Sequence, residues 1–305
     1  MKKTILFVIG ILMSGSLLAA PYCMAASEIG ASAKTIGRGY IEGYEQRAHS
    51  VFENPATMTA INKGSIGVFS ARLMNEVTYR NIALAAPTPI GKLGFGFMEA
   101  ISYGFYHTGE GSKGRFYEES SFDWRDSIYK LSFQRDVLDW LSLGTTFVSY
   151  NRYFHTISAT GWDIDLGTFC DFDWLQLSFV GRNLLGHSVT HVDAKDPSYI
   201  VDEELPFQGI ASMKLRWAEF HVLTQVKVVP NYRLAFYALE YKPWFIPLMT
   251  LRIGHREVLV QQDIKNSLTA GFGIEAWGII VDIAYEKSDY FEFDHKVYTS
   301  LCLDF

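Results

Sequence analysis

Cysteine is scarce: three in 305 residues, one of them, Cys23, inside an N-terminal apolar stretch. Cys170 and Cys302 sit in strand-like stretches at no spacing that argues for a bridge, so a disulfide framework is excluded and both read as small apolar residues. A basic surplus is also missing. The 27 Lys+Arg stand against 33 Asp+Glu, a net charge of −6, which speaks against a nucleic-acid partner. Only one long apolar run exists, at the N-terminus, so the chain is not a polytopic helical membrane protein. Nor does it carry a Gly-x-Ser-x-Gly elbow, a phosphate loop, a His-Glu-x-x-His pair or paired-cysteine zinc spacing. His187 and His191, with Asp193, Asp196, Asp202, Glu203 and Glu204 nearby, read as solvated loop side chains rather than a metal site. Ser149 and His155 would share one strand face about 20 Å apart, too far for a nucleophile–base pair. No catalytic residue, metal or cofactor is therefore expected, and the chain does not read as an enzyme.

What is present points to β-structure and export. Apolar residues make up 49%, and 15% aromatics with 25 Gly suit an all-β protein. Lys2 and Lys3 precede an apolar Ile5–Leu18 core, and Cys23-Met24-Ala25 allows cleavage after Ala25; residues 1–25 read as a signal peptide. Without them 25 basic residues face 33 acidic ones, a net −8.

The remainder alternates in polarity over segments of roughly ten residues, the pattern of a transmembrane antiparallel β-barrel. Val297, Thr299, Leu301, Leu303 and Phe305 form one face of the last segment; Tyr298, Ser300, Cys302 and Asp304 form the other. Leu268, Ala270, Phe272 and Ile274 alternate in the same way with Thr269, Gly271, Gly273 and Glu275. About 14 strands follow, near 64–74, 78–87, 90–106, 125–135, 139–155, 161–171, 173–182, 206–216, 218–228, 232–242, 247–256, 265–275, 277–287 and 295–305. Ten residues tilted about 40° rise about 25 Å, enough for an outer-membrane apolar band. Connections alternate by side: short ones at one end, and the long ones, 107–124, 183–205, 257–264 and 288–294, all at the other. Trp140, Trp174, Trp217, Trp244 and Trp277 fall at the short turns and read as membrane-interface anchors; Trp124 and Trp162 would begin strands at the opposite rim.

Residues 28–62 do not alternate. They contain Gly30-Ala31, Gly37, Gly39 and then Asn54-Pro55-Ala56. This pattern resembles the N-terminal region of the FadL/PorV/PorQ superfamily of outer-membrane barrels, with Tyr40, Thr57 and Met58 where that family carries Gly, Gly and Leu. Leu205-Pro206-Phe207-Gln208-Gly209 also resembles a strand start of PorV-like members. The resemblance implies that 26–63 is a plug or hatch inside a barrel formed by 64–305, with Gly37, Gly39, Phe52, Asn54, Pro55, Leu234 and Phe236 as plug or ligand residues. Leu301, Leu303 and Phe305 would form the signal read by the barrel-assembly machinery. Localisation is expected to be the cell outer membrane, among outer-membrane lipid and lipopolysaccharide. The expected function is a channel for hydrophobic or amphipathic small molecules such as long-chain fatty acids. A PorV-like accessory role with secretion partners and a structural barrel or diffusion pore are the alternatives.

The register places Lys130, Asp163, Asp165, Arg182, Lys214, Lys227, Arg252, Asp282 and Glu286 inward, but also Gly94, Gly96, Val180, Leu223, Leu234, Phe236 and Ile280. A simple porin lumen is nearly all polar. The apolar patches suit either an amphipathic cargo or packing against a plug.

Overall fold

The computed structural model describes residues 29–305, apart from 74–75, 111–114, 197, 261–262 and 291–292. The expected signal peptide, residues 1–25, lies outside these. Among the described residues, two short helices, α1 (Ala33–Gly37) and α2 (Ser50–Glu53), and a 3-10 turn (Pro55–Ala60) precede the strands. These are β1 (Ser65–Leu73), β2 (Val77–Thr88), β3 (Gly91–Glu110), β4 (Phe116–Leu138), β5 (Leu141–Phe154), β6 (Ile157–Asp171), β7 (Leu175–Arg182), β8 (Ser188–Asp193), β9 (Ile200–Glu204), β10 (Gln208–Trp217), β11 (Phe220–Val229), β12 (Tyr232–Tyr241), β13 (Met249–Val260), β14 (Asp263–Ala276), β15 (Ile279–Ser288) and β16 (Lys296–Asp304).

Fourteen of these strands pair antiparallel with their neighbours in a closed ring. The β1–β16 pairing and the β5–β6 pairing complete it. Closure leaves no unpaired edge, which a wall in lipid requires. Period-two burial follows the alternation read from the sequence: β15 reads exposed and buried in strict turn, with Ile279, Val281, Ile283 and Tyr285 outward and Ile280, Asp282, Ala284 and Glu286 inward. On β16 Leu303 is exposed and Leu301 half-buried, while Tyr298, Ser300 and Cys302 are buried; Phe305, just past the strand, is exposed. The inward residues anticipated above are buried, except Lys214, which is half-buried.

Three differences from the sequence reading have physical causes. The segment 183–205, expected as a loop, contains the hairpin β8–β9 docked on β6. Its polar composition hides the strands; Arg152 and His191 both contact Glu203, at 2.7 and 3.1 Å, and Thr190 donates to Asp202. The 107–124 stretch, also expected as a loop, is largely strand. β4 has 23 residues against 9 in β1, so β3 and β4 project well beyond the rest of the wall. Phe105 stacked on Phe122, with Phe154 edge-on to both and centroids 5.2–6.0 Å apart, holds this extension. In consequence Trp124 and Trp162 lie within β4 and β6 rather than beginning them. The extension starts at an irregularity: the β3–β4 register shifts between Ser102 and Phe105, where Gly104 has φ +80°.

Trp174, Trp217, Trp244 and Trp277 are exposed at the short turns of one end, and Trp140 stacks on Phe172 there. Cys170 and Cys302 are free thiols.

Candidate functional site

Residues 29–62 lie against the inward face of the barrel, and glycine sets how close they come. A Cβ on Gly271 of β14 would stand 2.8 Å from the Cα of Gly37, so the two backbones touch. A Cβ on Gly39 would meet the His255 backbone at 2.9 Å, and Gly39 also has φ +68°, a conformation glycine adopts without strain. Elsewhere the seats are for side chains. Gly96 accommodates Phe52, Gly167 accommodates Asn54, and Gly144 receives the Pro55–Ala56 backbone. In a strand, inward glycines of this kind mark close approach of another chain segment.

Polar contacts fix the same segment. Ser32 caps α1, accepting from the Thr35 N–H at 3.2 Å. Asn54 accepts from the Ala56 N–H at 2.9 Å, and Pro55 opens the 3-10 turn where no N–H is needed. The Asn54 amide donates onward to Ser178 Oγ at 2.8 Å and to the Thr168 carbonyl at 3.2 Å, joining turn and wall. Arg38 and Glu53 form a salt bridge of 2.9 Å with both side chains 1% exposed. Glu53 also accepts from the Gly43 N–H at 3.0 Å and from Thr35. Arg182 of β7 reaches Glu42 and donates to the Phe52 and Glu53 carbonyls at 3.0 and 3.1 Å. At the tryptophan end Arg47 bridges Glu275 and Asp304.

Among the perturbed titratable groups of this segment, outside the spanning strands, are Glu45 and His49. Burial penalises the Glu45 carboxylate, but Lys34 at 3.0 Å, Arg38 and His49 outweigh it and hold its pKa at about 2. Burial pushes the His49 imidazole below its ordinary value despite Glu45 and Asp282. His49 Nε2 has no hydrogen-bond partner among the described residues.

Tyr40 stands where the resembled motif carries glycine, and its φ is +60°. The left-handed backbone that glycine would supply is thus kept, at a conformational cost of order 1–3 kcal/mol. The phenol compensates. It donates to Glu286 at 2.7 Å, and the Arg256 guanidinium lies 3.4 Å from its ring centroid.

Between this segment and the wall is a cavity of about 40 Å³. Its lining is mixed: apolar Phe52, Met98, Leu234, Phe236, Val258 and Leu259, and charged Arg182, Lys227, Arg256, Glu42, Glu53 and Glu257, with Lys227 opposite Leu234 and Arg256 opposite Phe236 across the strands. Of the residues singled out from the sequence, Phe52, Leu234 and Phe236 meet at this cavity. Gly37, Gly39, Asn54 and Pro55 do not line it; they form the seats described above. The sequence reading missed Met98, Tyr40 and Arg256; only the alternation along β3 and β13 could have placed Met98 and Arg256 inward. Among the described residues no His/Cys/Asp/Glu group could hold a metal ion. His187 packs its ring on Trp162 at 4.3 Å while His191 turns to Glu203, so the two do not converge.

No protein-family model matches this chain, and no curated protein sequence matches it. Solved structures do resemble it. The toluene transporter TodX of Pseudomonas putida superposes with a TM-score of 0.59 at 12% identity, covering 90% of this chain and 98% of that one. The monoaromatic hydrocarbon channel CymD gives 0.60 at 15%, covering 91% and 98%. A Pseudomonas aeruginosa FadL homologue gives 0.56 at 11%, covering 93% and 97%. These likenesses establish an outer-membrane β-barrel fold of the FadL type.

Proposed function

We propose that this chain is an outer-membrane channel for hydrophobic or amphipathic small molecules, with residues 29–62 as the plug that closes it. The observation that carries this reading is the mixed lining of the cavity: Leu234, Phe236 and Phe52 stand among Arg182, Lys227 and Arg256, with Phe236 and Arg256 direct cross-strand partners. A diffusion pore for polar solutes has no use for the apolar part of this lining. The fold supports the same reading, since the toluene transporter and hydrocarbon channel named above share it. At about 40 Å³ the cavity holds a few waters, whereas a benzene-sized guest needs about 150 Å³. Passage of cargo therefore requires the plug to shift, and the described conformation is the closed one.

A reversible lock tests this. The Ala33 N–H donates to Ser300 Oγ at 3.1 Å, so Ala33→Cys with Ser300→Cys places two thiols at one plug–wall contact. Cells expressing the wild-type chain should take up labelled fatty acid or toluene faster than a deletion strain. The oxidised double variant should not, and reduction should restore uptake. Equal uptake with and without the chain across a lipid and hydrocarbon panel would remove the transport reading. Uptake through the oxidised form would remove the moving plug.

A further inference from the structure

The lipid-facing wall is not uniformly apolar. On β15 four outward residues, Ile279, Val281, Ile283 and Tyr285, come in sequence from the tryptophan end before the charged Lys287. On β2 only Ala86, Leu84 and Ile82 come before Arg80; on β3 only Leu93, Phe95 and Phe97 come before Glu99. Arg80 and Glu99 are direct cross-strand partners, and Ser127 of β4 completes the row. Arg80 donates to Glu99 Oε2 through Nη2 at 2.6 Å and Nε at 2.9 Å. Arg125 Nε stands 3.5 Å from the other carboxylate oxygen, and Ser127 donates to it at 3.3 Å. The Glu99 side chain is 4% exposed, while Arg80 and Arg125 are 57% and 51% exposed. Two guanidiniums thus cover one carboxylate and present their remaining N–H groups to the outside.

Charge on a lipid-facing surface is costly away from the interface and marks a functional position by default. Here two positive charges meet one negative. Asp123, the next acid along that face of β4, accepts from the Gly104 N–H. Immediately toward the tryptophan end, the same face carries Ile82 and Leu131 and the paired rings of Phe97 and Tyr129, centroids 5.0 Å apart. Apolar rows that end in a cationic row have the polarity order of an anionic lipid, acyl chain and then headgroup. Long arginine side chains also reach toward the headgroup level.

We propose that Arg80 and Arg125, held by Glu99 on the outer face of β2–β4, form a site for the phosphate group of an outer-leaflet lipid, whose acyl chain lies along Ile82, Phe97, Tyr129 and Leu131. Guanidinium forks match phosphate oxygens bidentately, which ammonium groups do not. Because removing the arginines alone would strand Glu99, the informative variant replaces all three: Arg80→Leu, Glu99→Leu, Arg125→Leu. It leaves a paired, apolar wall, and heat-modifiable mobility on a gel verifies that it folds. The purified full chain in detergent is titrated with bis-phosphorylated lipid A, with the same lipid dephosphorylated, and with inorganic phosphate, and bound lipid is read by native mass spectrometry. Wild type should hold the phosphorylated lipid about tenfold more tightly than the dephosphorylated one, and the triple variant should lose that preference. Equal retention of the two lipids, or an unchanged preference in the triple variant, would overturn the site. Displacement by inorganic phosphate at the lipid's own concentration would make it a free-anion site and overturn the lipid. A dimer lost in the variant, with no lipid preference in wild type, would assign the face to a second copy instead.

Discussion

The two sides of the inner segment are held in opposite ways. Toward β13 and β14 it rests on bare backbone, Gly37 on Gly271 and Gly39 on Gly254 and His255, with no space between. Toward Leu234 and Phe236 of β12, and toward Arg256–Leu259 further along β13, it stands off, leaving the cavity. A seat made of glycines permits one position only, because any side chain there is a clash. A contact made across a cavity tolerates displacement. On the proposal of a moving plug, the glycine seats at 254–255 and 271 would be the fulcrum, and the space beside Leu234, Phe236 and residues 256–259 the route along which it opens.

Breaking the polar anchor should have the largest effect. Glu53→Ala leaves Arg38 charged and buried, which typically costs about 3–5 kcal/mol; hydrogen exchange should show amides across 33–60 losing protection while the strand ladder keeps its own. Phe236→Ala enlarges the cavity side and should cost about 3 kcal/mol of stability while raising uptake of bulky cargo, measured in the same cells as the wild type. Asn54→Ala removes a cap and two wall contacts, and about 1–2 kcal/mol of local stability should go with it. Acid sharpens the comparison by another route. With the folded Glu45 pKa at about 2, below its ordinary value of 4.5, the carboxylate's stabilisation is complete above about pH 4.5 and is lost as pH falls through 2. Proteolysis of the inner segment should therefore rise across that window, and Glu45→Gln should flatten the rise. Trp244→Ala, on a side chain 77% exposed, should change fold stability by less than about 0.5 kcal/mol, and any loss should appear only in lipid vesicles rather than detergent.

The wall was legible because a strand's period of two shows directly which residues face lipid. Val222 and Leu223 are both apolar, yet the register alone separates them, one exposed and one buried. The projecting β3–β4 ribbon was not legible, since both its faces meet solvent and Ser120, Ser121 and Glu119 give no alternation. The glycine seats were half legible. Gly94 and Gly96 could be placed inward, but nothing local in the chain says that Phe52 is what fills the space beside Gly96. Tyr40 was read as a departure from a motif; its positive φ shows that the backbone requirement survived the change of residue. Long-range pairs such as Arg47 with Glu275 lie beyond any reading of neighbouring positions.

Gly64 and Phe305 exchange two backbone hydrogen bonds of 2.9 Å each, extending the pairing of β1 with β16. The seam that seals the cylinder therefore joins positions at opposite ends of the barrel sequence, the kind of contact whose loop-closure cost makes it form late. The inner segment immediately precedes β1, so it is on hand from the start of assembly. Its glycine seats lie on β3, β5, β6, β13 and β14, around much of the circumference. Entering after sealing would mean fitting folded turns through the mouth of a finished ring. Wrapping the strands around it needs only that the last stitch come last.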